Sequence, residues 1–202
     1  MNQRPQESGY SLIEVLIATS LLLIIMFGMY QFQKSVFSIN LSLSESLTSQ
    51  REARSLMQRI SGELRSASPS STGSYPLEQV GTTSIIFFTN IDNDALKERM
   101  RYFVSGTTLK RGITKPSGNP LAYNLGSEIV TDQVHNVLAT SSIFFYYDTN
   151  YAGTSSPMAQ PVNIAGVRLI KIQIQMDANP AKPPEALSFT TQIMMRNLKD
   201  NL

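Results

Sequence analysis

The chain has 202 residues, 42% of them hydrophobic, and a formal net charge of +2. That length suits one domain with an attached segment, and the hydrophobic share excludes a polytopic membrane protein. The near-balanced charge gives no electrostatic case for nucleic acid; the lack of cysteine excludes disulfides, thiolate metal sites and a cysteine nucleophile.

Residues 1–9, MNQRPQESG, are polar, and an apolar stretch begins at Tyr10. After Glu14 no charged side chain occurs until Lys34. About 20 apolar residues are needed to cross a bilayer as a helix, and residues 10–30 meet that length. A cleavable secretory signal has a shorter apolar core and a small-residue cleavage site, neither of which is found here. Glu14 counts against both that reading and a plain anchor. A carboxylate one turn into a membrane helix is unfavourable, so a partner should be sought for it. Cleavage between Gly9 and Tyr10 would create a free α-amino group about one turn away, and a neighbouring copy shifted along the axis could supply the same group. The alternative is a glutamate that snorkels to the headgroups.

Gly9, Tyr10, Ser11, Leu12, Ile13 and Glu14 resemble the processing motif of type IV prepilins and type II secretion pseudopilins. The resemblance implies that prepilin peptidase cuts after Gly9 and that Tyr10 becomes an N-methylated N-terminus. It also implies that Glu14 pairs with the terminal amine of an adjacent subunit during assembly. Tyr10 stands where phenylalanine is commoner, the leader's Arg4 is opposed by Glu7, and no proline follows the span near Gln31.

From residue 31 to 67 there is no proline, and Gly62 is the only glycine. Ala53, Met57, Ile60, Leu64 and Ala67 recur at spacings of three and four, one apolar face of an amphipathic helix. Arg51, Arg54, Arg59, Glu63 and Arg65 fall on its other faces, with Arg59 and Glu63 as an i,i+4 pair. The serine-rich part, residues 35–49, is expected to fray, and residues 66–73 (SASPSSTG) break the helix.

Residues 68–202 read as a β-rich domain able to bury its own core. Residues 84–90 (SIIFFTN) and 142–148 (SIFFYYD) are aromatic and β-branched runs bounded by turn residues. Met100, Tyr102 and Val104 alternate with Arg99, Arg101 and Phe103. Ile170, Ile172, Ile174 and Met176 alternate with Lys171, Gln173 and Gln175, and Leu187, Phe189, Thr191 and Ile193 predict a last strand. Turns and loops are expected over residues 90–94, 105–107, 115–120, 149–161 and 177–184. The expected fold is therefore α+β and pilin-like. It comprises a leader over 1–9, a membrane-spanning assembly helix over 10–30, an amphipathic continuation over 31–67 packed on an antiparallel sheet, and the β-rich domain over 68–202. The end of the helix, residues 57–67, and the later IIFFTNID, RYFVSGTTLKR and SIFFYYD segments are similar to those of J-type minor pseudopilins and W-like minor pilins.

Catalytic signatures are missing: no Walker A, GxSxG, HExxH or SxxK pattern occurs. His135 is the single imidazole and is expected at the surface or a strand edge. Asp92, Asn93 and Asp94 suggest oxygen ligation of calcium. However, the EF-hand pattern fails, lacking glycine at its sixth position and with Glu98 too early for its twelfth, and a turn is expected. Arg99, Arg101, Lys110, Arg111 and Lys115 are expected on a solvated strand face. No enzyme activity, metal, cofactor or small-molecule substrate is expected.

The resemblance implies a structural minor subunit at or near the tip of a secretion pseudopilus or pilus. Its partners would be prepilin peptidase, other minor and major pilins or pseudopilins, and an assembly platform. It would be a single-pass protein of the inner membrane with its C-terminal domain in the periplasm, entering a filament on assembly. The other class of function is a membrane-anchored binding module that never polymerises, which would need neither Gly9 nor Glu14.

Overall fold

The computed structural model describes residues 9–138, 142–177 and 186–195. Helix α1 spans Leu12–Arg65. The chain divides into two units, Met1–Glu45 and Ser46–Leu202.

In the first unit α1 carries an apolar stretch, Leu12–Ser38, long and apolar enough to cross a membrane and with none of it buried. Leu16, Leu23, Ile24, Phe27 and Phe32 are all more than three-fifths exposed. A helix apolar all round needs lipid or partner helices about it. Its hydroxyls are satisfied within the helix: Thr19 Oγ1 donates to Leu16 O at 3.0 Å and Ser20 Oγ to Ile17 O at 2.8 Å. The expected fraying over residues 35–49 is not found. These residues are helical, and Ser38 Oγ donates to Ser35 O at 2.8 Å, so a hydroxyl that could compete for the backbone bonds back to its own turn.

The second unit holds the end of α1 and, among the described residues, ten strands. β1 (Leu77–Val80), β2 (Ser84–Thr89), β3 (Glu98–Ser105), β4 (Thr108–Thr114) and β7 (Ile129–Val134) form an antiparallel five-stranded sheet in that order. β8 (Phe144–Tyr147), β9 (Leu169–Met176) and β10 (Leu187–Met194) form a second antiparallel sheet in the order β10-β9-β8. A short ribbon of β5 (Pro116–Ser117) and β6 (Ala122–Tyr123) sets the Tyr123 ring against Phe88, centroids 5.2 Å apart. The two larger sheets are stitched at the β1–β2 turn: Ile143 N donates to Thr82 O at 2.8 Å, and Tyr146 OH to Gly81 O at 2.8 Å.

The core lies under the last turns of α1. Ala53, Ile60 and Leu64 are fully buried, with Leu56, Met57 and Ala67 nearly so. They meet Phe87, Met100 and Tyr102 of the first sheet and Ile170, Ile172 and Ile174 of the second in one apolar cluster. Polar contacts fix the helix on both sheets. Ser61 Oγ lies 3.5 Å from Thr191 Oγ1 of β10, and Ser66 Oγ 2.8 Å from Thr89 Oγ1 of β2.

Glu63 departs from the expected i,i+4 pair with Arg59. Arg59 instead donates to Gln133 Oε1 at 2.7 Å. Glu63 turns toward the sheet, where Tyr102 OH donates to Oε2 at 2.7 Å and Arg111 Nη2 to Oε1 at 2.5 Å. Register explains the meeting. Tyr102 and Arg111 are directly paired across β3 and β4, so they share the face that α1 covers. Burial, then the Glu63 charge, pushes the Tyr102 phenol well above its ordinary range, which keeps it a donor.

The basic residues do not collect on one solvated face: Arg111 lies on the face that α1 covers, while Arg99, Arg101 and Lys110 share the opposite face and are matched there within the fold. Arg99 binds Glu78 through two bonds of 2.7 and 2.8 Å, Arg101 binds Glu128, Lys110 lies 3.0 Å from Asp132, and Lys115 contacts Asp92. The Glu128 carboxylate reaches Arg101 by lying over Gly112, the residue of β4 paired with Arg101. A Cβ at Gly112 would stand 2.2 Å from Glu128 Oε1, so glycine is what leaves room for the ion pair.

The strands expected at residues 84–90, 142–148, around Met100 to Val104 and from Ile170 to Met176 are found. So is the last strand, although Phe189 and Thr191 are only half-buried. β1, β4, β7 and the short β5 and β6 are additional to the expected strands, and β5 lies within the loop expected over 115–120. β4 hides behind Arg111, a charge on its inward face, and the first four residues of edge strand β7 are exposed on both faces. The loop expected over 177–184 lies outside the described residues, apart from Asp177.

Two substitutions test this account. Glu63→Ala leaves Arg111 poorly matched in a largely buried position and should lower stability by on the order of 3 kcal/mol, measured by denaturant unfolding followed by circular dichroism. Gly112→Ala should lower it by about 1–2 kcal/mol, and most of that loss should vanish in a Glu128→Ala background, read from a double-mutant cycle.

Candidate functional site

The start of α1 is organised by Ser11. Its carbonyl accepts from Glu14 N at 3.0 Å and Val15 N at 3.2 Å, and its hydroxyl accepts a long 3.4 Å bond from Ile13 N. Ser11 is thus the N-cap and Glu14 the third helical residue, where a negative charge meets the positive end of the helix dipole. Serine at the cap with glutamate three residues on is also the sequence of a capping box. That motif would require a bond from Ser11 N to the Glu14 carboxylate, and among the described residues Glu14 has no side-chain hydrogen bond or ion pair.

From Leu12 to Met29 the polar side chains are Glu14, Thr19 and Ser20. Thr19 and Ser20 are satisfied by helix carbonyls. Glu14 alone keeps an exposed, unmatched charge in this apolar surface. Lys34, the next charge along the chain, is twenty residues on, about 30 Å at the helical rise. A cationic partner must therefore come from the chain's own start or from another molecule.

Gly9 and Tyr10 precede the helix, and both are exposed, Tyr10 by 83%. Nothing described lies within 4 Å of where a Cβ on Gly9 would stand, so packing within this chain does not require glycine there. The rest of the expected leader, residues 1–8, lies outside the described residues.

The other candidates are placed as follows. His135 is exposed just beyond β7, its Nδ1 3.1 Å from Thr108 Oγ1. Asp92, Asn93 and Asp94 do form a turn, between β2 and β3: Asn93 takes a left-handed φ of 64° and its N–H donates to Asn90 Oδ1 at 2.7 Å. The structure also brings Glu98 to this turn, so that Asp92, Asp94 and Glu98 each offer a carboxylate oxygen within 4.8 Å of the others. Nothing in the local sequence links Glu98 to this turn beyond the failed EF-hand spacing. Its place at the start of β3, opposite Thr89, returns it to the turn.

No curated protein matches the chain. Residues 4–30 match a family described as the prokaryotic N-terminal methylation motif, and Gly9, Tyr10 and Glu14 fall within the match. The chain thus carries the N-terminal methylation motif of prokaryotic pilin and pseudopilin precursors, set on an apolar helix that leads into an antiparallel β-sheet domain.

Proposed function

We propose that the protein is a structural minor pilin or pseudopilin. Prepilin peptidase cuts it after Gly9, Tyr10 becomes the N-methylated terminus, and the subunit enters the filament at or near its tip. Before assembly it is held in the inner membrane by residues 10–30, with residues 68–202 in the periplasm and residues 31–67 leading into them. Its partners are the peptidase, other minor and major subunits, and the assembly platform.

The observation that carries this reading is the unmatched Glu14 carboxylate within an otherwise apolar, fully exposed helical surface that falls inside the methylation motif. In a lipid or helix-packed setting such a charge is unfavourable by at least ~2.5 kcal/mol near the bilayer centre, and less toward its edge. A terminal amine at Tyr10 of a neighbouring copy, displaced along the helix axis, offsets it at the depth required. Gly9 supports the cut: no described residue packs where its side chain would stand, whereas a peptidase that grips the junction has reason to exclude a side chain.

Mass spectrometry of the protein from its native host should give a chain beginning at Tyr10, heavier by one methyl group at the terminus. An intact Met1 in the filament fraction would remove the processing step. Glu14→Ala should be cleaved normally and keep a folded β-sheet domain, yet co-purify with filament subunits at least about ten-fold less than wild type. That loss corresponds to the ~1.4 kcal/mol or more that a matched charge contributes. Entry into filaments at the wild-type level would instead favour a membrane-anchored binding module that does not polymerise.

A further inference from the structure

The turn between β2 and β3 brings together three carboxylates, each oriented by a backbone amide through one oxygen and converging through the other. Asp92 Oδ1 accepts from Asp94 N at 3.4 Å, Asp94 Oδ1 from Leu96 N at 2.7 Å, and Glu98 Oε2 from Ile91 N at 3.0 Å. The remaining oxygens, Asp92 Oδ2, Asp94 Oδ2 and Glu98 Oε1, face the Lys115 ammonium. Lys115 contacts Asp92 closely and stands 3.9 Å from each of the other two.

Glu98 makes this more than an acidic turn. It is fully buried, and its Oε1 is shut off from solvent and accepts no hydrogen bond. A buried carboxylate oxygen without a donor is strongly unfavourable unless a cation sits against it. Lys115 cannot fill that role well, since at 3.9 Å it is beyond hydrogen-bonding distance and its side chain is 58% exposed. Three carboxylates against one ammonium also leave an excess of two negative charges, the charge of a divalent cation with opposite sign.

We infer that Asp92, Asp94 and Glu98 form a calcium site, with Lys115 as a resident counter-charge that swings into solvent when the ion binds. Hard oxygen donors from an irregular turn suit Ca²⁺, which accepts six to eight oxygens in irregular geometry, better than Mg²⁺, which demands a near-ideal octahedron. The turn is tied to the rest of the domain: Lys97 N donates to Ser71 Oγ at 2.8 Å, and Tyr123 OH to Lys97 O at 2.7 Å. Ion binding would thus fix the segment that follows α1 together with the start of β3. The inference is independent of processing and filament assembly.

The test is calorimetric titration of calcium chloride into the chelator-treated full-length protein in detergent micelles, with thermal unfolding measured alongside. One ion should bind per chain with a Kd of about 1 mM or tighter and raise the Tm. Glu98→Gln, which keeps the size of the side chain and the acceptor for Ile91 N, should weaken binding by at least about ten-fold. Asp94→Asn, at an exposed position, should do the same and keeps the test readable if Glu98→Gln unfolds. Lys115→Met should bind more tightly, because the competing ammonium is gone. No uptake by the wild type at about 5 mM calcium, magnesium bound as tightly as calcium, or wild-type affinity in both carboxylate variants would overturn the site.

Discussion

The domain depends on the burial of the last turns of α1 beneath two sheets. Ile60 and Leu64 fill the space between Phe87, Met100 and Tyr102 on one side and the isoleucines of β9 on the other. Neither sheet could keep its apolar face from water without that cover, because backbone bonds among the described residues join the two only at their margins, at the β1–β2 turn and where residues 136–138 after β7 meet the end of β9. Truncating a buried leucine or isoleucine in such a setting costs roughly 2–5 kcal/mol, a large share of the stability of a small domain.

That packing also decides the electrostatics. Glu63 is drawn inward because α1 covers the face on which Tyr102 and Arg111 stand side by side, and Arg111 can sit on an inward strand face only because Glu63 comes to meet it. On the opposite face Arg99 and Arg101 find Glu78 and Glu128, the latter over the gap left by Gly112. The basic residues of β3 and β4 are thus matched one by one. The sheet consequently lacks the uncompensated basic stripe that nucleic acid or an acidic partner would need.

Two of the carboxylates on helix α1, Glu14 and Glu63, have opposite fates. Glu63 is matched within the chain by a phenol and a guanidinium. Glu14, with the same chemistry, lies in an apolar exposed surface with no matching group among the described residues. The first is part of how the domain folds. The second is left without a counter-charge by the described part of the chain, and it lies within the methylation motif.

The sequence alone determined the elements whose signal is local. The unbroken apolar run after Tyr10, the three-and-four spacing of Ala53, Met57, Ile60 and Leu64, and the strict alternation from Ile170 to Met176 all follow from backbone period and solvent preference. Residues 9–14 were likewise legible, because a charge within an apolar run stands out without any fold. Only the tertiary structure decided where β4 and β7 lie, since Arg111 breaks the apolar alternation of one and exposure erases it in the other. It also decided that Glu63 belongs to Arg111 instead of Arg59, that Gly112 makes room for Glu128, and that Glu98 joins Asp92 and Asp94. For Glu63 and Gly112 the deciding partner is a strand or more away in sequence, and Glu98, though only four residues from Asp94, is returned to the turn by its pairing with Thr89 across β2 and β3. These meetings are set by sheet register and by which face the helix covers, and neither is encoded in any local run of residues.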